Sequence, residues 1–196
     1  MDSTFEPRQV DVGDESLVER WRAGDLHAFE AVFARYESMV YNVAYRMLGS
    51  LEDAQDVKQD AFLRAHRAIR TFRGECQVST WLCRIATNLC LSRRRRADSH
   101  VVSLDDQVVE TADEVDIEQA VERRRVQAAV QEILGRLPKH HRTVLVLRDF
   151  EELSYAEIAK VLNCSVAAVN TRLHRAREAF KKLAAPLFAG ERSCQK

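Results

Sequence analysis

Apolar residues recur along most of this chain at steps of three and four, which is the signature of one buried helix face. Phe29, Phe33, Tyr36, Val40, Val43 and Met47 form the first long stripe. It predicts a helix opened by an Asp25 cap and stopped by Gly49. Before it, Asp14 caps a short helix that Gly24 ends. A further stripe of Leu51, Ala54, Val57, Ala61, Ala65, Ala68 and Phe72 predicts a helix to about Phe72. Its start is a Ser50 cap, with Asp53 where a capping box usually has Glu or Gln. The run Arg73-Gly74-Glu75-Cys76-Gln77 reads as a loop, and Ser79 caps the next helix. Leu82, Ile85 and Leu89 face inward there, and the consecutive arginines Arg93 to Arg96 sit at its end, where cations suit the helix dipole.

The pattern then lapses. Residues from 98 to about 116 show neither periodicity nor aromatics and read as a flexible acidic linker. Periodicity resumes with a helix over about 117–135, ended by Gly135 and Pro138, and another over 139–150. Ser154 and Glu157 form a capping box for a helix of about eight residues. Asn163-Cys164 is a turn, and Ser165 caps a last helix to about Leu183. No period-two run stands out and there is no internal repeat. The expected fold is all-α, with two small helical domains joined by the linker. The expected boundaries are a tail 1–13, a domain 14–97, the linker 98–122, a domain 123–184 and a tail 185–196.

Charge sharpens this picture. The formal net charge is zero, but it is built from −2 over residues 1–13, +3 over 14–97, −9 over 98–122 and +8 over 123–196. Two basic blocks flanking an acidic strip point to a polyanionic partner. With 46% hydrophobic and 31% charged residues the chain can bury a core, which excludes a disordered or low-complexity protein. No apolar run reaches the length of a membrane helix, so no membrane insertion is expected. The first residues carry no secretory signal, so a cytoplasmic location is expected.

Two helices joined by a short turn at the end of a basic block are the sequence form of a helix-turn-helix. On a helical wheel Val166, Val169, Leu173, Ala176 and Phe180 fall on one side, to pack on Ile158, Ala159 and Leu162. Ala167, Ala168, Thr171, His174 and Arg175 fall opposite, with Asn170 and Arg172 on the flanks. The outer set fits a major groove: small side chains allow close approach, and Arg175 is placed to fork onto a guanine edge. Arg172, Arg177 and Lys181 suit phosphates. The bland alternative is a solvated basic helix in a plain bundle.

These residues also resemble a known family. Leu153-Ser154-Tyr155-Ala156-Glu157-Ile158-Ala159, followed by Ser165 and by Val169 through Arg177, resembles region 4 of a group 4 (extracytoplasmic-function, ECF) sigma factor of the sigma-70 family. Leu137-Pro138 and Arg142 through Arg148 match its upstream part. Asp53 through Arg64 resembles region 2.2, and Phe72-Arg73-Gly74, Ser79-Thr80-Trp81-Leu82 and Ile85-Ala86-Thr87-Asn88 resemble regions 2.3 and 2.4. Departures are Ala167-Ala168 in place of a frequent Gly-Thr, Asn170 for Lys, Glu152 for a frequent Gly, and Lys58 inside an otherwise acidic stretch.

The resemblance implies a dissociable subunit of bacterial RNA polymerase that directs promoter-specific initiation. Asp53, Asp56, Gln59, Asp60 and Phe62 would bind core polymerase at the β′ clamp, with the second domain on the β flap. The last helix would read the −35 element of promoter DNA. The first domain would open the −10 element through Arg73, Trp81, Arg84, Asn88, Arg93 and Arg94. An extruded base costs a few kcal/mol, which a pocket formed by loop 73–77 beside Asn88 would offset. An anti-sigma factor is the expected regulatory partner. For several of these residues a structural reading stands beside the functional one. The carboxylates can be a solvated face, Trp81 a core aromatic, Arg93 to Arg96 a helix end, and the linker a plain spacer.

Other classes fare less well. A conventional helix-turn-helix repressor or activator would need a sensor or dimerisation domain, and no enzyme motif is visible. No cofactor or metal is expected, since no Cys pair has C-x-x-C spacing. Cys83 and Cys90 share a helix face about 10 Å apart, and buried small hydrophobes are the better reading for them. A metal- or redox-sensing alternative stays open for Cys76, Cys83, Cys90, Cys164 and Cys194. His140-His141 reads as a solvated pair.

Overall fold

Caps and breakers lie where the chain changes direction. The computed structural model describes residues 12–99 and 117–189, so the body of the stretch read as a linker, the N-terminal tail and Cys194 lie outside the described residues. Helix α1 spans Val12–Arg22, so Asp14 sits in its first turn and is not its cap. Asp14 binds Arg35 and Tyr36 instead. Helix α2, Leu26–Leu48, is capped as expected: the Asp25 carboxylate accepts the N–H groups of His27 and Ala28. Gly49 ends it at φ +83°, a left-handed conformation that glycine adopts without strain, and its N–H reaches the Tyr45 carbonyl.

Helix α3, Leu51–Ala68, opens on Ser50, whose side chain accepts the Asp53 N–H. It passes into a 3₁₀ turn over Ile69–Thr71 before the predicted end at Phe72. Helix α4, Val78–Ser99, starts one residue before Ser79, which is buried in the first turn with its hydroxyl 3.4 Å from the Gln77 side-chain oxygen. Val32, Val40, Val43, Ala54, Val57, Ala61, Leu82 and Ala86 are fully buried between α2, α3 and α4.

In the second half, α5 covers Ile117–Arg136, and Gly135 stays helical so that Pro138 is the breaker. Helix α6, Lys139–Leu145, widens into a π-type turn over Val146–Phe150. Helix α7 spans Tyr155–Leu162 and α8 spans Val166–Ala189. Helix α8 runs past Leu183 with Pro186 inside it; a proline removes one hydrogen bond near a helix end without terminating the helix. Leu134, Val144, Val146, Leu147, Ile158, Val169, Leu173 and Ala176 form the apolar interior of this half.

Polar contacts join the halves alongside apolar packing that runs from one half into the other. Arg142, 2% exposed, donates to the carbonyls of Met47 at 2.8 Å and Leu137 at 3.4 Å, and also to Gly135. Arg94 donates to the same Met47 oxygen at 2.9 Å, and Gln131 donates to the Tyr45 carbonyl at 3.0 Å. The Arg46 guanidinium lies 4.3 Å from the centroid of the Phe150 ring. Arg142→Met keeps the aliphatic volume but removes the fork. Leaving buried carbonyls unpaired costs about 1–3 kcal/mol each, so the variant should lose about 2–3 kcal/mol in urea unfolding. A loss below about 0.5 kcal/mol would show that water satisfies those carbonyls instead.

Candidate nucleic-acid interface

The helix-turn-helix is built by local capping. Ser154 and Glu157 complete the predicted capping box, with the Glu157 carboxylate accepting from the Ser154 N–H at 2.8 Å and its hydroxyl at 2.7 Å. Asn163 ends α7 at φ +49°, and its N–H reaches the Ala159 carbonyl. Ser165 accepts the Ala168 N–H at 3.2 Å, as the predicted cap of α8. Ile158, Ala159 and Val161 of α7 and Val169, Leu173 and Ala176 of α8 are buried, while Leu162 and Phe180 are half-buried. Val166 departs from the expected inner set. It is 49% exposed, because the first turn of α8 projects past the end of α7. Glu152 lies just before the box at φ +56°. This left-handed conformation costs a residue with a Cβ about 1–2 kcal/mol.

The outer face of α8 is free. Ala167, Asn170, Thr171, Arg172, His174 and Arg175 are exposed, and Ala168 is half-buried. The Thr171 hydroxyl donates to the Ala167 carbonyl at 3.0 Å. Arg177 is held by both carboxylate oxygens of Asp149, and that bond raises its pKa above the usual arginine value. His141 is not a solvated pair partner. It is half-buried with an unpaired buried Nδ1, and burial, followed by the charges of His140 and Arg175, lowers its pKa. Lys139–His141 therefore flanks the recognition helix. The tertiary approach of α6 to α8 creates that proximity, and no sequence signal marks it.

The second group of predicted residues gathers along loop 73–77 and α4. Arg73, Arg84 and Asn88 are exposed. Trp81 is half-buried: it stacks on Phe72 with centroids 4.7 Å apart and meets Trp21 edge-on at 6.3 Å. Arg93 and Arg94 are engaged by the protein. Arg93 pairs with Asp53 at 2.6 Å and Asp56 at 3.1 Å, and Arg94 serves the Met47 carbonyl. The exposed arginines at that helix end are Arg95 and Arg96. Asn88, Leu91, Ser92 and Arg95 line one groove together with Lys139 from the other half.

The third group lies on α3. Asp53, Asp56, Gln59 and Asp60 share an accessible face. Phe62 does not join them, since it is 2% exposed and packed between Phe29 and Phe33. Its position one residue off the Asp60 row turns it into the core. Leu63, 55% exposed, sits at the end of the acidic face in its place. The sequence signal for Leu63 was an apolar residue outside the inward stripe. Lys58 turns away to α2, pairing with Glu37 at 3.1 Å beside the Phe33 ring. The face therefore stays acidic in spite of it.

Among the described residues, no group of His, Cys, Asp or Glu is placed to hold a metal ion. Cys83 and Cys90 are buried free thiols, and burial pushes Cys90 up to about 12. No helix of the described residues is long and apolar enough to cross a membrane.

Comparison with known proteins places these surfaces in context. The family described as Sigma-70 region 2 matches residues 32–100, and Sigma-70, region 4, matches residues 127–180. The chain is 39% identical to the RNA polymerase sigma-H factor of Pseudomonas aeruginosa, over 89% of this chain and 95% of that protein. It is 38% identical to the ECF RNA polymerase sigma factor SigW of Bacillus subtilis, over 84% of this chain and 93% of that protein. Among solved structures it is similar to CnrH in complex with the cytosolic domain of CnrY. The TM-score is 0.69 at 27% identity, over 88% of this chain and 97% of that one.

Two measurements probe the helix-turn-helix. Glu152→Gly should raise stability by up to about 1 kcal/mol in urea unfolding, relief of strain exceeding the entropy glycine adds to the unfolded chain. The second concerns pH. Burial acts to raise the Glu157 pKa, but hydrogen bonds from Ser154 and Thr80 and the charge of Lys160 outweigh it and hold the carboxyl below 4.5. The unfolded chain then binds the proton more readily. The stabilisation is complete above the unfolded pKa and is lost as pH falls through the folded one. Glu157→Gln should flatten the fall of the urea midpoint between about pH 6 and about pH 3.5. An unchanged slope would mean that the carboxylate contributes nothing specific.

Proposed function

The chain belongs to the extracytoplasmic-function sigma factors of the sigma-70 family, and from that membership we propose how its surfaces divide the work of directing promoter-specific transcription initiation. The observation that carries the reading is the α8 outer face. Its inner residues are locked in the core while Asn170, Thr171, Arg172, His174 and Arg175 stand exposed on a capped, preorganised helix. In a chain that also matches region 2, such a helix reads the −35 element as duplex DNA. Arg175 takes a base edge, and Arg172 takes a phosphate.

We assign residues 14–97 to region 2 and 123–184 to region 4. The acidic face of Asp53, Asp56, Gln59 and Asp60 binds core RNA polymerase, with Leu63 as its apolar contact. Arg93 already lies on Asp53 and Asp56, so docking either displaces that guanidinium or uses it. Loop 73–77 with Arg73, Trp81, Arg84 and Asn88 receives the opened −10 strand. The exposed edge of Trp81 supplies stacking, and the arginines supply phosphate contacts. Unstacking is offset by this binding energy, so the chain contributes recognition and opening and no catalytic group. The protein acts in the cytoplasm with its polymerase. The regulatory partner of this chain would be an anti-sigma factor; the similar CnrH is in complex with the cytosolic domain of CnrY.

Run-off transcription with core bacterial polymerase tests the whole reading: transcripts should start at promoters with one fixed −35 to −10 spacing. Arg175→Ala should cost about 1–3 kcal/mol on a cognate −35 element and relax base preference there. Arg172→Ala should weaken binding almost equally on all sequences. Absence of both transcript and core binding would refute the function. Loss of preference in Arg172→Ala alone would exchange the two roles.

A further inference from the structure

Helix α7 serves both halves of the molecule. One carboxylate oxygen of Glu157 closes the capping box, and the other accepts a hydrogen bond from Thr80 Oγ1 of α4 at 2.8 Å. Thr80 is 1% exposed. One turn further along α7, Lys160 Nζ donates to the main-chain carbonyl of Glu75 at 3.0 Å. Both targets lie in the surface assigned to the −10 strand, at loop 73–77 and the first turn of α4. Cys76 of the same loop is half-buried there, with Lys160, Arg84 and Glu157 as its charged neighbours. The outer face of α8 takes no part and stays exposed. The free chain therefore presents one reading surface whole, while α7 is seated on the loop 73–77 end of the other and leaves Arg73, Arg84 and Asn88 exposed.

We propose that α7, through Glu157 and Lys160, is a cover in cis for the −10 site, and that it must leave loop 73–77 before a single strand enters; this rests on the assignment of that loop and α4 to −10 recognition. The chemistry of the contact is competitive. The Thr80 hydroxyl donates to a carboxylate oxygen as it would to a phosphate oxygen, and the Glu157 charge repels an approaching phosphate. The polar part of the contact is two side-chain hydrogen bonds, and a partner that draws the halves apart breaks both together with the Arg142–Met47 and Gln131–Tyr45 bonds of the seam.

Cys76 is a built-in reporter. The full-length chain is treated with iodoacetamide, and modification of the Cys76 peptide is followed by mass spectrometry, so that other cysteines do not interfere. Thr80→Val removes the donor, Thr80→Ser keeps it, and Lys160→Ala removes the second contact from an exposed position. Cys76 alkylation should rise about fivefold for each contact removed, the usual yield of one net hydrogen bond, and stay unchanged in Thr80→Ser. Lys160→Ala should also bind a fluorescein-labelled pool of random single-stranded DNA more tightly than the natural chain. Simple electrostatics demands the opposite for a lost cation. Unchanged alkylation with weaker strand binding in Lys160→Ala, at a retained urea midpoint, overturns the cover. Run-off transcription by the unaltered chain separates the two ideas. A transcript with Cys76 still protected in every variant removes the cover alone. No transcript and no core binding removes the −10 assignment and the cover with it.

Discussion

The Arg142 guanidinium holds the ends of two helices from opposite halves of the chain. Burying a cation is costly unless strong acceptors meet it. Here the acceptors are carbonyls, Met47 at the end of α2 and Gly135 and Leu137 at the end of α5. A helix C-terminus carries unpaired carbonyls and the negative end of the helix dipole. A planar fork with fixed donors can therefore serve two such ends at once, which a lysine cannot. The charge of Arg142, the open end of α2 and the open end of α5 resolve one another. Arg94 adds a second donor at the Met47 oxygen. Because α2 lies in the first half and α5 and α6 in the second, the register between the halves depends on this side chain.

The remaining polar contacts of the seam differ in kind from the two interiors they join. Within each half, Val57, Leu82, Ile158 and Leu173 are almost wholly buried, and side chains of this size contribute about 1.5–3 kcal/mol each. Across the seam the contacts of Thr80, Gln131 and Lys160 are single hydrogen bonds, worth about 0.5–1.5 kcal/mol net. These bonds add direction to a boundary that apolar side chains also line, since the buried apolar residues of the two halves form one contiguous cluster.

Legibility in the sequence followed the range of the interaction. Asp25, Gly49, Ser154, Glu157, Asn163 and Ser165 act on backbone within a few residues of themselves, and their caps and turns were predictable from type and spacing. The helix faces were readable for the same reason, since Val40, Val43, Val169 and Leu173 obey the period of their own helix. Departures arose where a distant element decides. Phe62 turned inward because Phe29 and Phe33 wait for it. Arg94 reaches the end of α2, where it donates to the Met47 carbonyl. His141 lost solvent to the packing of α6 against α8. Ser79 and Asp14 illustrate a smaller limit: each is a capping residue by type, but its helix begins earlier and its side chain bonds elsewhere. The one local oddity that the sequence flagged without explaining was Glu152, and its left-handed φ supplies the reason a glycine suits that place.

Recognition by α8 draws on the same economy of fixed and free groups. A side chain that reads bases must not be spent on the protein, and one that sets the helix in place must be. Arg177 lies on Asp149 in the π-type turn and ties α8 to the segment that precedes α7. The Thr171 hydroxyl is returned to its own helix. Arg172, His174 and Arg175 keep their solvent exposure. The widened turn is what brings Asp149 within reach, since it carries one residue more than an α-turn would before Leu153 and the capping box. The orientation of the recognition helix therefore rests on a turn geometry, an ion pair and two caps, all outside the reading surface. Changes at the outward positions 167, 168, 170, 171, 172, 174 and 175 spare the buried Val169 and Leu173 that seat the helix, and the Ala167-Ala168 and Asn170 differences fall among those outward positions.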